Sequence, residues 1–122
     1  MAWELKSDRP IYLQLIEQIE IQIFSGIYEP GSRLPSVREL AQEAGVNSNT
    51  MQKALSMLEE NGLLYTNRTS GRYITEDTKM IQLIKEKLAK EQISEFLEKM
   101  KSLGFAETEI LSAITSILKE VK

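Results

Sequence analysis

Residues 34–58 read LPSVRELAQEAGVNSNTMQKALSML, and two short helices with a tight turn can be read from this stretch alone. Ser36 and Glu39 stand in the S-x-x-E relation of a capping box, in which the hydroxyl takes one orphan amide of the first turn and the carboxylate returns to another. The helix they open spans 35–45, carries Val37, Leu40, Ala41 and Ala44 on one face, and stops at Gly45. Asn47 is a good N-cap for the next helix. That helix buries Met51, Ala54, Leu55 and Leu58 and ends at Asn61-Gly62. Two helices so close, with a glycine between them, form a helix-turn-helix.

Upstream, residues 10–26 read PIYLQLIEQIEIQIFSG. Leu13, Ile16, Ile19, Ile23 and Phe24 recur at three- and four-residue steps, with Glu17, Gln18, Glu20 and Gln22 opposite, which predicts an amphipathic helix. Pro10 suits its first turn and Gly26 its end. Tyr28-Glu29-Pro30-Gly31-Ser32 is a turn. Downstream the period changes: 63–66 and 72–75 are predicted strands around the tip 67–71, a β-hairpin. Helix-turn-helix and hairpin together make a winged helix.

From Thr78 to about Leu103 the chain is predicted helical, with an apolar stripe that shifts along its length. Met80, Ile81, Ile84 and Leu88 share one face; Ile93, Phe96, Leu97, Met100 and Leu103 share another. This is either one helix serving two surfaces or a helix kinked near Ala89. A last helix begins near Glu107 and carries Ile110, Leu111, Ile114, Ile117, Leu118 and Val121 in a narrow stripe. Ala106 occupies its cap, so Glu107 and Glu109 must serve the positive helix end. The expected fold is therefore mostly α with a small β-hairpin. A winged helix-turn-helix covers 1–76, and a two-helix dimerisation or effector hairpin covers 77–122.

Composition narrows the function. The chain has 122 residues, enough for one domain and an appendage, with no cysteine and no histidine. Zinc sites of the usual kind, cysteine nucleophiles and Ser-His-Asp triads are thereby excluded. No phosphate loop is present and no motif focuses the carboxylates, so neither an enzyme nor a bound cofactor or metal is expected. The start, Met1-Ala2-Trp3-Glu4, has no signal-peptide character, and no apolar run reaches the roughly 18 to 20 residues of a membrane span. A cytoplasmic location and no membrane partner are expected. Net charge is −3, and residues 1–75 hold seven Lys and Arg against nine Asp and Glu. DNA responds to charges within about one Debye length of its phosphates, roughly 8 Å, so the placement of the cations matters more than their sum.

In a helix-turn-helix the second helix enters the major groove by its N-terminal residues. Here these are Ser48, Asn49, Thr50, Gln52 and Lys53, all hydrogen-bonding and none acidic. Asn and Gln pair bidentately with adenine, and Lys reaches guanine or phosphate. Ser36 and Arg38, at a helix N-terminus that attracts phosphate, join this set. Arg33, Arg68 and Arg72 extend it across the turn and wing.

The runs PIYLQ at 10–14, YEPGSRLPSVRELA at 28–41, GVNxNT at 45–50 and LExxGLL at 58–64 together resemble the GntR family of bacterial regulators. The short tail is similar to that of its YtrA-like subfamily. The resemblance implies double-stranded operator DNA as partner, a phosphate- and base-contacting role for Arg38, recognition contacts from Ser48, Asn49, Thr50, Gln52 and Lys53, and wing contacts from Arg68, Thr69 and Gly71. Two departures stand out. Ser48 replaces the arginine of many relatives, and Thr69 replaces a glycine of the G-x-G-T-F-V wing pattern.

The last helix is too short to be stable alone, and its six large aliphatics are each worth roughly 1.5 to 3 kcal/mol when buried. A second copy would bury them. The expected dimer interface is Ile93, Phe96, Leu97, Met100, Ile110, Leu111, Ile114, Ile117, Leu118 and Val121, and a two-fold dimer suits a palindromic site. A small-molecule effector has room only in the cleft between such hairpins, where the sequence offers no polar cluster. The expected function is a sequence-specific regulator, a repressor binding as a homodimer. The alternative is a winged-helix module that contacts protein rather than DNA.

Overall fold

A computed structural model describes residues 3–121. The order is α1 (Ile11–Phe24), α2 (Val37–Ala44), α3 (Ser48–Glu60), β1 (Leu64–Asn67), β2 (Gly71–Ile74), α4 (Thr78–Ser102) and α5 (Glu107–Val121). Contacts divide it into two compact units, one ending at Leu83 and one beginning at Ile84. The division falls inside α4, whereas the sequence suggested a boundary at its start.

In the first unit α3 packs against α1 and α2, and β1 lies beside α3. Leu15, Ile19, Leu40, Met51, Leu55, Leu58, Leu63 and Ile74 are the largest apolar side chains of its core. The helix starts follow the local signals. Ser36 Oγ accepts the Glu39 N–H at 3.1 Å, and Asn47 Oδ1 accepts the Asn49 N–H at 2.7 Å. Only half of the expected capping box forms, because the Glu39 carboxylate accepts from the Ser36 hydroxyl itself at 3.2 Å instead of reaching its amide. Gly45 ends α2 in the left-handed region, φ 70°, and so sets the turn into α3. Gly62 does the same for α3 at φ 90°, where a Cβ would also lie 2.8 Å from Met80 Sδ. The backbone conformation disfavours a side chain there, and the flexible end of Met80 would have to move aside for one.

The strands are each displaced by one residue from the expected 63–66 and 72–75. Leu64 pairs with Ile74 and Asn67 with Gly71, leaving a three-residue tip. The 32–34 segment adds a third edge through an isolated bridge between Arg33 and Tyr73, with the Leu34 N–H donating to the Arg72 carbonyl at 2.9 Å.

Helix α1 departs from its predicted face. Gln14, Leu15, Ile19, Glu20, Gln22 and Ile23 are buried, while Leu13 is 39% exposed. Gln14 is covered by the segment before the helix, which folds back over it. The Gln14 carboxamide accepts the Lys6 N–H at 2.7 Å and donates to the carbonyls of Lys6 and Arg9 at 2.7 and 2.9 Å. Gln14→Ala strands three backbone groups, so it is expected to lower unfolding free energy by about 2–3 kcal/mol. Chemical denaturation checks this, and a loss below about 0.5 kcal/mol, as for an ordinary surface change, would contradict it.

The second unit is the hairpin of α4 and α5. Helix α4 runs unbroken from Thr78 to Ser102. The Ala106 N–H at the head of α5 donates to the Glu109 carboxylate at 2.9 Å, the acidic substitute for a polar cap. No residue of α4 is buried. Ile110 is buried within the single chain, which removes it from the expected dimer surface. Ile93, Phe96, Leu111, Ile117, Leu118 and Val121 remain exposed, and Leu97, Met100 and Ile114 are half-buried. Among the described residues, no helix is long and apolar enough to cross a membrane.

Candidate nucleic-acid interface

The turn between α2 and α3 leaves Ser48, Asn49, Gln52 and Lys53 exposed on the first turns of α3, with Thr50 half-buried. Thr50 lines a hollow with Trp3, Leu5, Ile11 and Val46. Ser36 is exposed, but its hydroxyl is committed to the α2 cap. Arg38, in the first turn of α2, is exposed and makes no hydrogen bond or ion pair among the described residues.

A cleft of about 280 Å³ separates the start of α2 from the wing, lined by Arg33, Leu34, Pro35, Ser36, Val37, Thr66, Gly71 and Arg72. Of the seven cations in residues 1–75, five lie on α2, α3, the hairpin and the strand-like edge beside it: Arg33, Arg38, Lys53, Arg68 and Arg72. Of the remaining two, Arg9 pairs with Glu17 at 3.0 Å.

Two of them have partners that the sequence did not reveal. Lys53 Nζ lies 3.7 Å from the centroid of the Tyr12 ring on α1, a cation–π contact that steers the ammonium across the helix face. Arg72 Nε forms an ion pair with Glu59, with side-chain exposures of only 16% and 30%. Arg72, expected among the DNA contacts, therefore spends its charge inside the protein. Glu59 also accepts from the Thr66 hydroxyl. Thr66 and Arg72 are register partners on the hairpin, so one carboxylate at the end of α3 holds both strands.

Burial raises the Glu59 carboxyl, but the hydrogen bonds from Thr66 and Arg72 and the charge of Arg72 outweigh it and leave the group below its ordinary value. In the unfolded chain it titrates near the usual glutamate value, about 4.3. Between the two values the unfolded state binds more protons, so stability rises with pH. The Glu59 contribution is fully present above the unfolded value and is lost as pH falls through the folded one. Glu59→Gln should thus lower the melting temperature at neutral pH, and the gap to the wild type should close as the pH is taken below that window. A gap independent of pH would contradict the ionised pair.

The wing tip is closed by its own side chains. Asn67 Oδ1 accepts the Thr69 N–H at 3.0 Å and the Thr69 hydroxyl at 2.9 Å. Thr69 thus rigidifies a tip where a glycine would leave the backbone bare. Tyr65 and Tyr73 stack with ring centroids 5.6 Å apart, and the Tyr73 hydroxyl donates to Ser70 Oγ at 2.8 Å. Arg68 projects from this tip, exposed. Among the described residues, no cluster of three or more Asp or Glu could hold a metal.

Comparison with known proteins agrees with this geometry. Residues 11–74 match the family of bacterial regulatory proteins, gntR family. The chain is 42% identical to the HTH-type transcriptional repressor YtrA of Bacillus subtilis over 94 residues, 75% of this chain and 72% of that protein. A GntR family transcriptional regulator from Listeria monocytogenes superposes with a TM-score of 0.87 at 37% identity, over 92% of this chain and 98% of that one. The AraR DNA-binding domain in complex with operator ORE1 superposes with a TM-score of 0.54 at 32% identity, over 62% of this chain and 94% of that one. The chain belongs to the GntR family, transcription regulators that bind DNA through a winged helix-turn-helix.

Proposed function

We propose that this regulator is a cytoplasmic repressor that binds a palindromic operator as a homodimer. Helix α3 enters the major groove with Ser48, Asn49, Thr50, Gln52 and Lys53 toward the bases. Arg38, at the positive end of α2, takes a backbone phosphate, and Arg33, Arg68 and Gly71 meet the flanking backbone from the edge and wing. The observation that carries this reading is the pairing of an exposed, non-acidic α3 N-terminus with an unpartnered Arg38 beside it. A protein-binding surface would instead present aromatics and aliphatics. The operator complex of the AraR domain supports the DNA arrangement, and the name of the YtrA relative supports repression.

Dimerisation falls to the α4–α5 hairpin. Leu111 at 66%, Leu118 at 59% and Val121 at 78% exposure recur along α5 at helical spacing. Such a stripe on a single chain is an interaction surface, and a second copy buries it symmetrically. An effector, where one acts, would bind between the two hairpins.

Selection of bound duplexes from a random pool, followed by salt titration, tests the whole arrangement. The expected result is an inverted repeat with half-sites about one helical turn apart, bound more weakly as salt rises. Absence of any enriched site would favour a protein-binding module instead.

A further inference from the structure

Three groups of the first unit meet where the wing touches α3. Glu59, Ser56 and Gln52 follow one another along one face of α3, spaced by three and four residues. Arg72, on β2, lies against all of that face. Its Nε pairs with Glu59, and its Nη1 donates to Gln52 Oε1 at 3.3 Å. Gln52 Nε2 in turn donates to Ser56 Oγ at 3.3 Å.

Chemistry settles which way the Gln52 amide points. A guanidinium has only donors, so the group facing it must be the carboxamide oxygen. The ion pair to Glu59 anchors the guanidinium, and the neighbouring Thr66 hydroxyl secures the same carboxylate from the other strand. The oxygen of Gln52 is thus held toward the wing. One hydrogen of its amino group goes to Ser56, and the other remains for a ligand in front of α3.

That orientation conflicts with the usual use of glutamine in the major groove. Adenine recognition needs the oxygen to accept from N6 while the amino group donates to N7. With the oxygen turned to Arg72, the amide presents chiefly its free N–H to the groove. Adenine N7, guanine N7 and O6 and thymine O4 all accept that N–H, so adenine loses its bidentate advantage, and cytosine alone, which shows the groove only an amino donor, is refused.

We propose that Arg72 is a positioning residue that sets the base preference of Gln52, removing its bidentate preference for adenine and leaving a contact that any base but cytosine accepts. The proposal rests on α3 being the recognition helix. It differs from the sequence expectation for Arg72, which was direct contact with DNA. Glu59 is the anchor of the relay, and Gln52 is the residue that touches the base.

Duplex selection with the full-length wild type, Arg72→Thr, Arg72→Lys and Gln52→Ala decides the matter. The wild type should exclude cytosine at one position of each half-site without a marked preference for adenine, and Gln52→Ala should lose that exclusion at that position alone. Arg72→Thr, a β-branched residue suited to a strand, should move the same position toward adenine by roughly tenfold, the scale of one bidentate pair gained. Arg72→Lys keeps the charge near Glu59 but not the fork that reaches Gln52, so it should shift the same position. It also serves if the threonine variant does not fold. The salt slope of the variants should match that of the wild type, because Arg72 neutralises Glu59 and not a phosphate. Unchanged base preference in Arg72→Lys overturns the relay, and a slope reduced by about two per dimer would make Arg72 a phosphate contact instead. A strong preference for adenine over guanine and thymine at the Gln52 position of the wild type also overturns it. No enriched site for any protein would overturn the DNA reading together with the relay.

Discussion

Arg38→Ala is expected to weaken operator binding by about a hundredfold while leaving the fold intact. Each dimer loses two phosphate or base contacts, and one such contact is worth roughly 1–3 kcal/mol. The slope of log affinity against log salt should fall by about two, close to 0.9 for each phosphate released. Stability should not fall, because the guanidinium has no hydrogen-bond or ion-pair partner among the described residues and a cation in a first turn opposes the helix dipole. The melting temperature of the variant should equal or slightly exceed that of the wild type. That combination separates function from folding: the side chain is kept at a position where local energetics disfavour it. Unchanged affinity and unchanged slope in a fluorescence anisotropy titration would remove Arg38 from the interface.

On the proposed arrangement, Leu118→Glu should give monomers and reduce operator affinity by about a hundredfold or more. The side chain is 59% exposed on the single chain, so the charge meets no core within it. Placed at a two-fold interface, two carboxylates would face an apolar partner without counter-ions, a burial that costs several kcal/mol per ion. The loss of DNA affinity then follows from linkage, since two tethered half-site contacts exceed a single one by a factor of 10² to 10⁴. Leu118 is a cleaner probe than Ile114, which is half-buried already and whose change would also disturb the chain itself. Light scattering that still reports a dimer would sink the arrangement, and a monomer that keeps full operator affinity would separate dimerisation from binding.

Much of the fold was legible in the residues because its signals are local. The Ser36 and Asn47 caps, the stop at Gly45 and the three- and four-residue period of Met51, Leu55 and Leu58 all act within a turn or two. Such signals survive without knowledge of any other element, so the helix-turn-helix and its exposed recognition face followed from the stretch 34–58. Hairpin register was less legible, since a shift of one residue is governed by pairing across the strands and by the Asn67–Thr69 turn at the tip.

The roles of individual side chains were a matter of long-range geometry. Gln14 has the look of a surface glutamine until the segment from Lys6 to Arg9 is seen folded over it. Ile110 belongs to the same stripe as Leu111 by period, yet one is buried and the other exposed. Lys53 and Tyr12 stand on different helices, and Arg72 reaches back to Glu59 and Gln52 across separations of 13 and 20 residues. Periodicity specifies which way a residue faces on its own element. It carries no information about which side chain of another element will stand opposite, because that depends on how helices and strands dock, with every core volume and register contributing at once. The protein's architecture is thus written locally in its caps, glycines and periods, while the pairing of Arg72 with Glu59 and of Lys53 with Tyr12 arises only when α3 meets the wing and α1.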